Sequence, residues 1–192
     1  MQDNPGEPSP AMSPAEQALL RAAAAGAATI VEFGAGGSTA LLLAASGGRL
    51  VTVENDPAWL ARLAAAPPCA EARAAGRWAG ICVDQGAVGA WGWPLDAVRR
   101  QDGAPYVNAP WAAAGAPDLV LVDGRYRVAC ALAALARVAP GGLVAIHDFW
   151  PRPHYHLLLA EAELEATSGT LALLRPRGAR ARDPTPFYGD AR

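Results

Sequence analysis

Two apolar runs of the 192-residue chain end in side chains able to move a proton or hold a cation. DLVLVDG (118–124) ends on Asp123, and GLVAIHD (142–148) ends on His147 and Asp148. Carboxylate oxygens that converge can bind a hard metal ion together with waters, and an imidazole beside them can act as a general base near neutral pH. Residues 147 and 148 point to opposite faces if both lie on a strand, so they share a site only where the strand has already ended. A third run, VEFGAGGST (31–39), places Gly34, Gly36 and Gly37 after a short apolar stretch. Without Cβ atoms the chain can turn tightly and let a ligand touch the backbone, while the following helix offers its N–H groups. Glu54 closes RLVTVEN (49–55) twenty positions after Gly34, where an acid can accept both hydroxyls of a ribose. Glycine turn and acid together favour an adenosine-type ligand. A G-x-G-x-x-G dinucleotide turn would need glycine where Thr39 stands, and with no lysine in the chain a P-loop is excluded.

Other residues could line the same site. Arg125 and Arg127 flank Tyr126 at the opening of an expected helix, where the dipole disfavours cations. They either recognise an acidic acceptor or the cofactor carboxylate, or pair with Asp123 or Asp148. Trp91 and Trp93 sit in a Gly- and Pro-rich stretch and either line an acceptor pocket or anchor the loop. His154 and His156, two apart on an expected helix, face different ways and make no metal cluster with Asp148.

The elements that must position these residues alternate. Ser13-Pro14-Ala15-Glu16 reads as a capping-box helix start, and the helix runs to about Ala24. Strands are expected over 28–33, 49–55, 78–84, 118–124, 142–148 and 170–176, and helices over 38–46, 56–66, 125–139 and 153–164. A long loop runs from about residue 85 to Pro117. Short connections between alternating strands and helices imply parallel strands with right-handed crossovers, so the fold class is α/β with a doubly wound, mostly parallel sheet and helices on both faces. In such sheets the ligand lies over the carboxyl ends of the strands. Residues 1–12 read as a disordered N-terminal tail, 13–192 as one domain, and the polar end after residue 176 carries no assignment.

Composition narrows the partners. The formal net charge of -2 gives no general attraction to nucleic acid or an anionic membrane, and no basic stripe suggests RNA. Three cysteines (Cys69, Cys82, Cys130) without a C-x-x-C spacing form neither a disulfide framework nor a zinc site, which fits a reducing, cytoplasmic setting. No apolar run is long enough to span a bilayer, and the N-terminus lacks a signal-peptide pattern.

The runs VEFGAGGSTALLLA, VTVENDP, PDLVLVDGRYR and APGGLVAIHDF, taken in order over residues 28–150, resemble the successive motifs of class I S-adenosylmethionine-dependent methyltransferases. The resemblance implies a Rossmann-like domain that binds S-adenosyl-L-methionine. Glu32 and the turn Gly34-Ala35-Gly36, with Gly37 and Ser38, would approach the methionine part. Glu54, with Asn55, would hold the ribose, and Asp84 with Gln85 would lie beside the adenine. More narrowly, DG after the fourth strand and HD after the fifth are similar to small-molecule O-methyltransferases, in which carboxylates at these strand ends can hold a divalent cation. Asp123 and Asp148 match two such positions, and Phe149 stands where those enzymes carry an amide ligand. Asp123, Asp148 and His147 are then the expected catalytic residues, with Asp123 also touching cofactor and Arg125, Arg127 and Trp91 meeting a small-molecule acceptor. A cofactor-binding protein without transferase activity and an NAD-dependent oxidoreductase are the alternatives. Little or no substrate cap is expected, which leaves an open pocket or one completed by a second copy in a homodimer.

Overall fold

The structure is a computed structural model that describes residues 9–178 and 181–192. Helix α1 (Pro14–Ala24) begins as its sequence requires. Ser13 Oγ accepts the Glu16 amide and Glu16 Oε2 accepts the Ser13 amide, so two amides that the helix itself cannot satisfy find partners. Strand β1 (Thr29–Phe33) leads through the glycine turn into α2 (Gly37–Ala45), and β2 (Arg49–Glu54) is followed by α3 (Pro57–Ala65). The Asp56 carboxylate caps α3 by accepting the Ala58 and Trp59 amides. After α4 (Pro67–Ala74) come β3 (Trp78–Cys82), two short helices α5 (Ala104–Asn108) and α6 (Trp111–Ala114), and β4 (Leu119–Val122). Helix α7 (Arg127–Leu135), β5 (Leu143–Ile146), β6 (Ala162–Ser168) and β7 (Leu171–Pro176) complete the order.

The seven strands form one sheet in the order β3-β2-β1-β4-β5-β7-β6, with β1 to β5 parallel and β7 antiparallel to both of its neighbours. The order reverses between β1 and β4, the point at which such sheets open a crevice beyond their carboxyl ends. Alternate residues supply two cores. Val31, Phe33, Val51, Val53, Val120, Val122, Val144 and Ile146 join α7 on one face. Ile30, Leu50, Leu119, Leu121 and Ala145 pack with Leu20 of α1 and Leu41 and Leu42 of α2 on the other. No helix among the described residues is long and apolar enough to cross a membrane.

Several expected elements differ. The segment expected as a helix over 153–164 is a 3₁₀ stretch, Pro153–Ala160, followed by strand β6. Ala, Glu and Leu favour helix, but the sheet edge is open here and β6 fills it. Its exposed Glu163 and Glu165 pair with Arg177 and Arg175, the charged dressing that protects an edge. Helix α7 starts at Arg127 instead of 125, because Tyr126 adopts a left-handed φ of 53°. The region 85–117 is not a bare loop: it holds a bridge between Val88 and Pro94 as well as α5 and α6. Of the expected disordered tail, residues 1–8 lie outside the described residues. Of residues 9–12, which form no helix or strand, Ser9 and Ala11 are exposed and Met12 is buried in the core beside α1. After residue 180 the chain packs back, with Arg192 O accepting the Arg127 amide and Tyr188 O the Gly103 amide.

Candidate active site

A cavity of about 990 Å³ opens over the carboxyl ends of β1, β2, β4 and β5. Its floor is the glycine turn. Gly34 has a φ of +93°, and a Cβ there would lie 2.6 Å from Gly124 Cα; a Cβ on Gly124 would meet the Gly34 amide at 2.7 Å and the Tyr106 hydroxyl. The turns after β1 and β4 therefore touch backbone to backbone, which only two glycines allow. Trp59 Nε1 donates to Ala35 O at 2.7 Å and fixes the far side of the turn, a contact from 24 residues away that nothing in the sequence announces.

Glu32 does not reach the cavity. It is wholly buried behind the turn, where Ser38 Oγ donates to Oε1 at 2.6 Å, and Thr39 Oγ1 and Thr52 Oγ1 donate to Oε2 at 2.8 and 2.9 Å. Thr39 in turn accepts the Gly36 amide, and Thr52 accepts Trp78 Nε1. Burial without a cationic partner pushes the Glu32 carboxyl up to about 7, although the three hydroxyls pull it back. Through these hydrogen bonds it shapes the turn, and the cavity wall here is formed by residues 34–38 instead of Glu32.

Glu54 lines the cavity with Asn55. Its Oε2 accepts the Ala35 amide at 2.9 Å, and Oε1 accepts the amides of Asn55 and Asp56 at 2.7 and 2.9 Å. Burial raises its pKa against the pull of these amides. Asn55 Nδ2 donates to Gln85 Oε1 and to Gly92 O, tying the strand end to the 89–93 hairpin. At the tip of that hairpin Trp91 stands at the cavity mouth, 82% exposed and with a φ of 58°. Asp84 and Gln85 are absent from the cavity wall. Asp84 is exposed and paired with Arg99 at 2.9 Å, and Gln85 is buried between Asn55 and the Tyr126 hydroxyl, to which its Nε2 donates at 2.6 Å. Strand β3 ends at Cys82, so both side chains fall where they serve the loop.

Asp123, His147, Asp148, Arg125 and Arg127 all meet the cavity. Strand β5 ends at Ile146 and Asp148 takes a φ of 55°, which turns both members of the His-Asp pair to the same rim. His147 Nδ1 lies 3.2 Å from Asp123 Oδ1 and 3.9 Å from Asp148 Oδ1, with Nε2 3.8 Å from Glu16 Oε1. Burial lowers the imidazole pKa, yet the hydrogen bond and charge of Asp123, with Asp148 and Glu16 behind it, outweigh this and raise it. Glu16 itself is carried to about 2: burial opposes this, but the amides and hydroxyls of Ser13 and Thr170 prevail. Arg127 is not free to meet an acceptor, because its guanidinium pairs with Asp123 at 3.0 Å and Asp148 at 3.3 Å. Arg125 has no carboxylate partner among the described residues. Its Nε is buried without a hydrogen bond, and burial lowers its pKa. The three cysteines are free.

The sequence matches no protein-family model and no curated protein. Among solved structures, the chain is similar to a methyltransferase-like protein from Silicibacter pomeroyi DSS-3, at 27% identity and a TM-score of 0.83, with 97% of this chain and 99% of that one covered. It is similar in fold to a putative O-methyltransferase from Klebsiella pneumoniae, at 20% identity and a TM-score of 0.54 over 88% and 84% of the two chains. The same holds for the O-methyltransferase TomG from Streptomyces achromogenes, a protein of tomaymycin synthesis bound to S-adenosylmethionine, at 22% identity and a TM-score of 0.53 over 85% and 78%. The fold, the glycine turn and these likenesses define a Rossmann-like methyltransferase fold. Over nearly its whole length the chain is similar to a methyltransferase-like protein.

Proposed function

We propose that the protein binds S-adenosyl-L-methionine in this cavity and transfers its methyl group to an oxygen of a small molecule. The observation that carries this reading is that one cavity is lined at once by the bare backbone of residues 34–37, by Glu54 and by the Asp123–His147 pair. The turn and the N-terminus of α2 suit the methionine end of the cofactor, and Glu54 suits the ribose hydroxyls. Asp84 and Gln85, which the family resemblance assigns to the adenine, are replaced in that role by the 89–93 hairpin that Asn55 holds against the cavity. Methyl transfer from a sulfonium is an in-line displacement. The carbon–sulfur bond breaks as the carbon–oxygen bond forms, the sulfonium becomes a neutral thioether, and the acceptor hydroxyl must lose a proton. In this reading Asp123, at the cavity surface with His147 behind it, receives that proton and returns it to solvent.

Calorimetric titration of the wild type and Glu54→Ala with S-adenosylmethionine, and separately with NAD, tests the reading. The wild type binds S-adenosylmethionine alone, and the variant loses about 2–4 kcal/mol with two hydrogen bonds to a charged group. NAD binding, or none by either ligand, overturns the assignment. Oxygen as the acceptor atom is checked by following S-adenosylhomocysteine release over panels of small hydroxyl, amine and thiol compounds. Turnover confined to amines or thiols sinks that part.

A further inference from the structure

Asp123, His147 and Asp148 bring three ligand atoms within 4.8 Å of one another at the ends of two neighbouring parallel strands. Two carboxylates and an imidazole make a donor set that suits a divalent cation. The space between the carboxylates, however, holds the guanidinium of Arg127. Four hydrogen bonds and one further ion-pair contact hold that group. Nε donates to Gly124 O at 3.0 Å, Nη1 to His147 O at 3.0 Å and to Asp148 Oδ2 at 3.3 Å, and Nη2 meets Asp123 Oδ1 at 3.0 Å and Asp123 O at 3.4 Å. A planar fork with five donors is matched here by five oxygens drawn from the ends of β4 and β5. Arg152 adds a second guanidinium 2.8 Å from Asp148 Oδ2, so two positive charges already balance the two carboxylates.

The backbone is bent to make this arrangement. Tyr126 and Asp148 are two of only three non-glycine residues with positive φ among the described residues, and they lie beside Arg127 and at its partner. Such conformations are disfavoured for side chains of this size and persist where the surroundings impose them. Arg127 also opens α7, where the helix dipole disfavours a cation, and Asp123 and Asp148 supply the compensation. Arg127 is 5% exposed. A divalent ion entering the same space would stand a few ångströms from a fixed positive charge and would have to take oxygens that four hydrogen bonds and an ion pair hold.

We propose that Arg127 is a resident cation: it occupies the seat between Asp123 and Asp148, so the site works without a divalent metal, and removing the guanidinium turns the three donors into a divalent-cation site. A purely structural ion pair would predict only lost stability on substitution. A resident cation predicts a new affinity.

The test is Mn²⁺ binding to the purified full chain, read from the loss of the free-ion electron paramagnetic resonance signal and confirmed with Mg²⁺ by calorimetry. It needs neither cofactor nor acceptor, so its outcome is separate from that of the methyl-transfer reading. The wild type is expected to take up no stoichiometric Mn²⁺. Arg127→Met, uncharged and of similar length, is expected to bind one equivalent at least ~100-fold more tightly than the wild type. Adding Asp148→Asn to that variant should abolish the uptake. One equivalent bound by the wild type and lost in Asp148→Asn overturns the proposal. So does a folded Arg127→Met, checked by circular dichroism, that binds no better than the wild type. If Arg127→Met fails to fold, Arg127→Gln replaces it, and the wild-type measurement by itself still decides whether the seat is open.

Discussion

Glu32 is a carboxylate sealed among three hydroxyls with no cation beside it, and its cost is measurable as pH dependence of stability. With a pKa near 4.5 when unfolded and about 7 when folded, the native state holds a proton that the unfolded chain has released between those values. Stability from this group is therefore fully present below pH 4.5 and is lost as pH rises to about 7 and beyond. At ~1.4 kcal/mol per pH unit, the loss between pH 5 and pH 8 comes to about 2–3 kcal/mol. Glu32→Gln removes the charge and keeps the shape. With its amide nitrogen toward Ser38, whose hydroxyl can turn to accept, the side-chain oxygen remains for Thr39 and Thr52, so the buried network stays satisfied. Urea unfolding of both proteins across pH 5–8, followed by tryptophan fluorescence, should show the variant gaining about 2–3 kcal/mol relative to the wild type as pH rises. Every other titrating group is common to both and cancels. Stabilities that move in parallel across this range would refute the argument that Glu32 is buried as an uncompensated acid.

The site carries further expected outcomes. In an NMR titration the His147 imidazole should show its midpoint above 6.5 and His154 below it, since burial and the Arg192 charge lower the latter. Asp123→Asn should bring His147 down, and a His147 midpoint that ignores this substitution would remove Asp123 as its main partner. By the same linkage His147 contributes stability below pH 6.5 that is lost as pH rises through its folded value, and turnover should rise over that same interval as the pair becomes able to accept a proton. Gly124→Ala should cost about 1–3 kcal/mol and weaken cofactor binding, because the new methyl would press on the Gly34 backbone and the Tyr106 hydroxyl. An unchanged melting temperature and affinity would show that the two turns are not in obligatory contact.

Much of this was legible in the chain because it is local. Glycines after an apolar strand, the capping box at Ser13–Glu16, the Asp56 cap and the near-continuous apolar runs of β4 and β5 each state a conformation within a few residues, and alternation of strand and helix implies a parallel sheet. Glu54 and Asp123 were visible as strand-end acids for the same reason. What lay beyond the sequence depends on contacts between distant residues. Strand β6 looks like helix by composition and becomes a strand only because β7 leaves an edge to pair with. Asp84 and Gln85 follow a strand as the resemblance expects, yet the strand stops early and Arg99 and Tyr126 claim them. Glu16 reads as a helix cap, and only the folded chain shows that the same carboxylate holds Thr170 and stands beside His147. Arg127 read equally well as a ligand receptor and as an ion pair. The tertiary structure decided between them, because left-handed turns at Tyr126 and Asp148 aim guanidinium and carboxylate at each other, and no periodicity in a sequence encodes that aim.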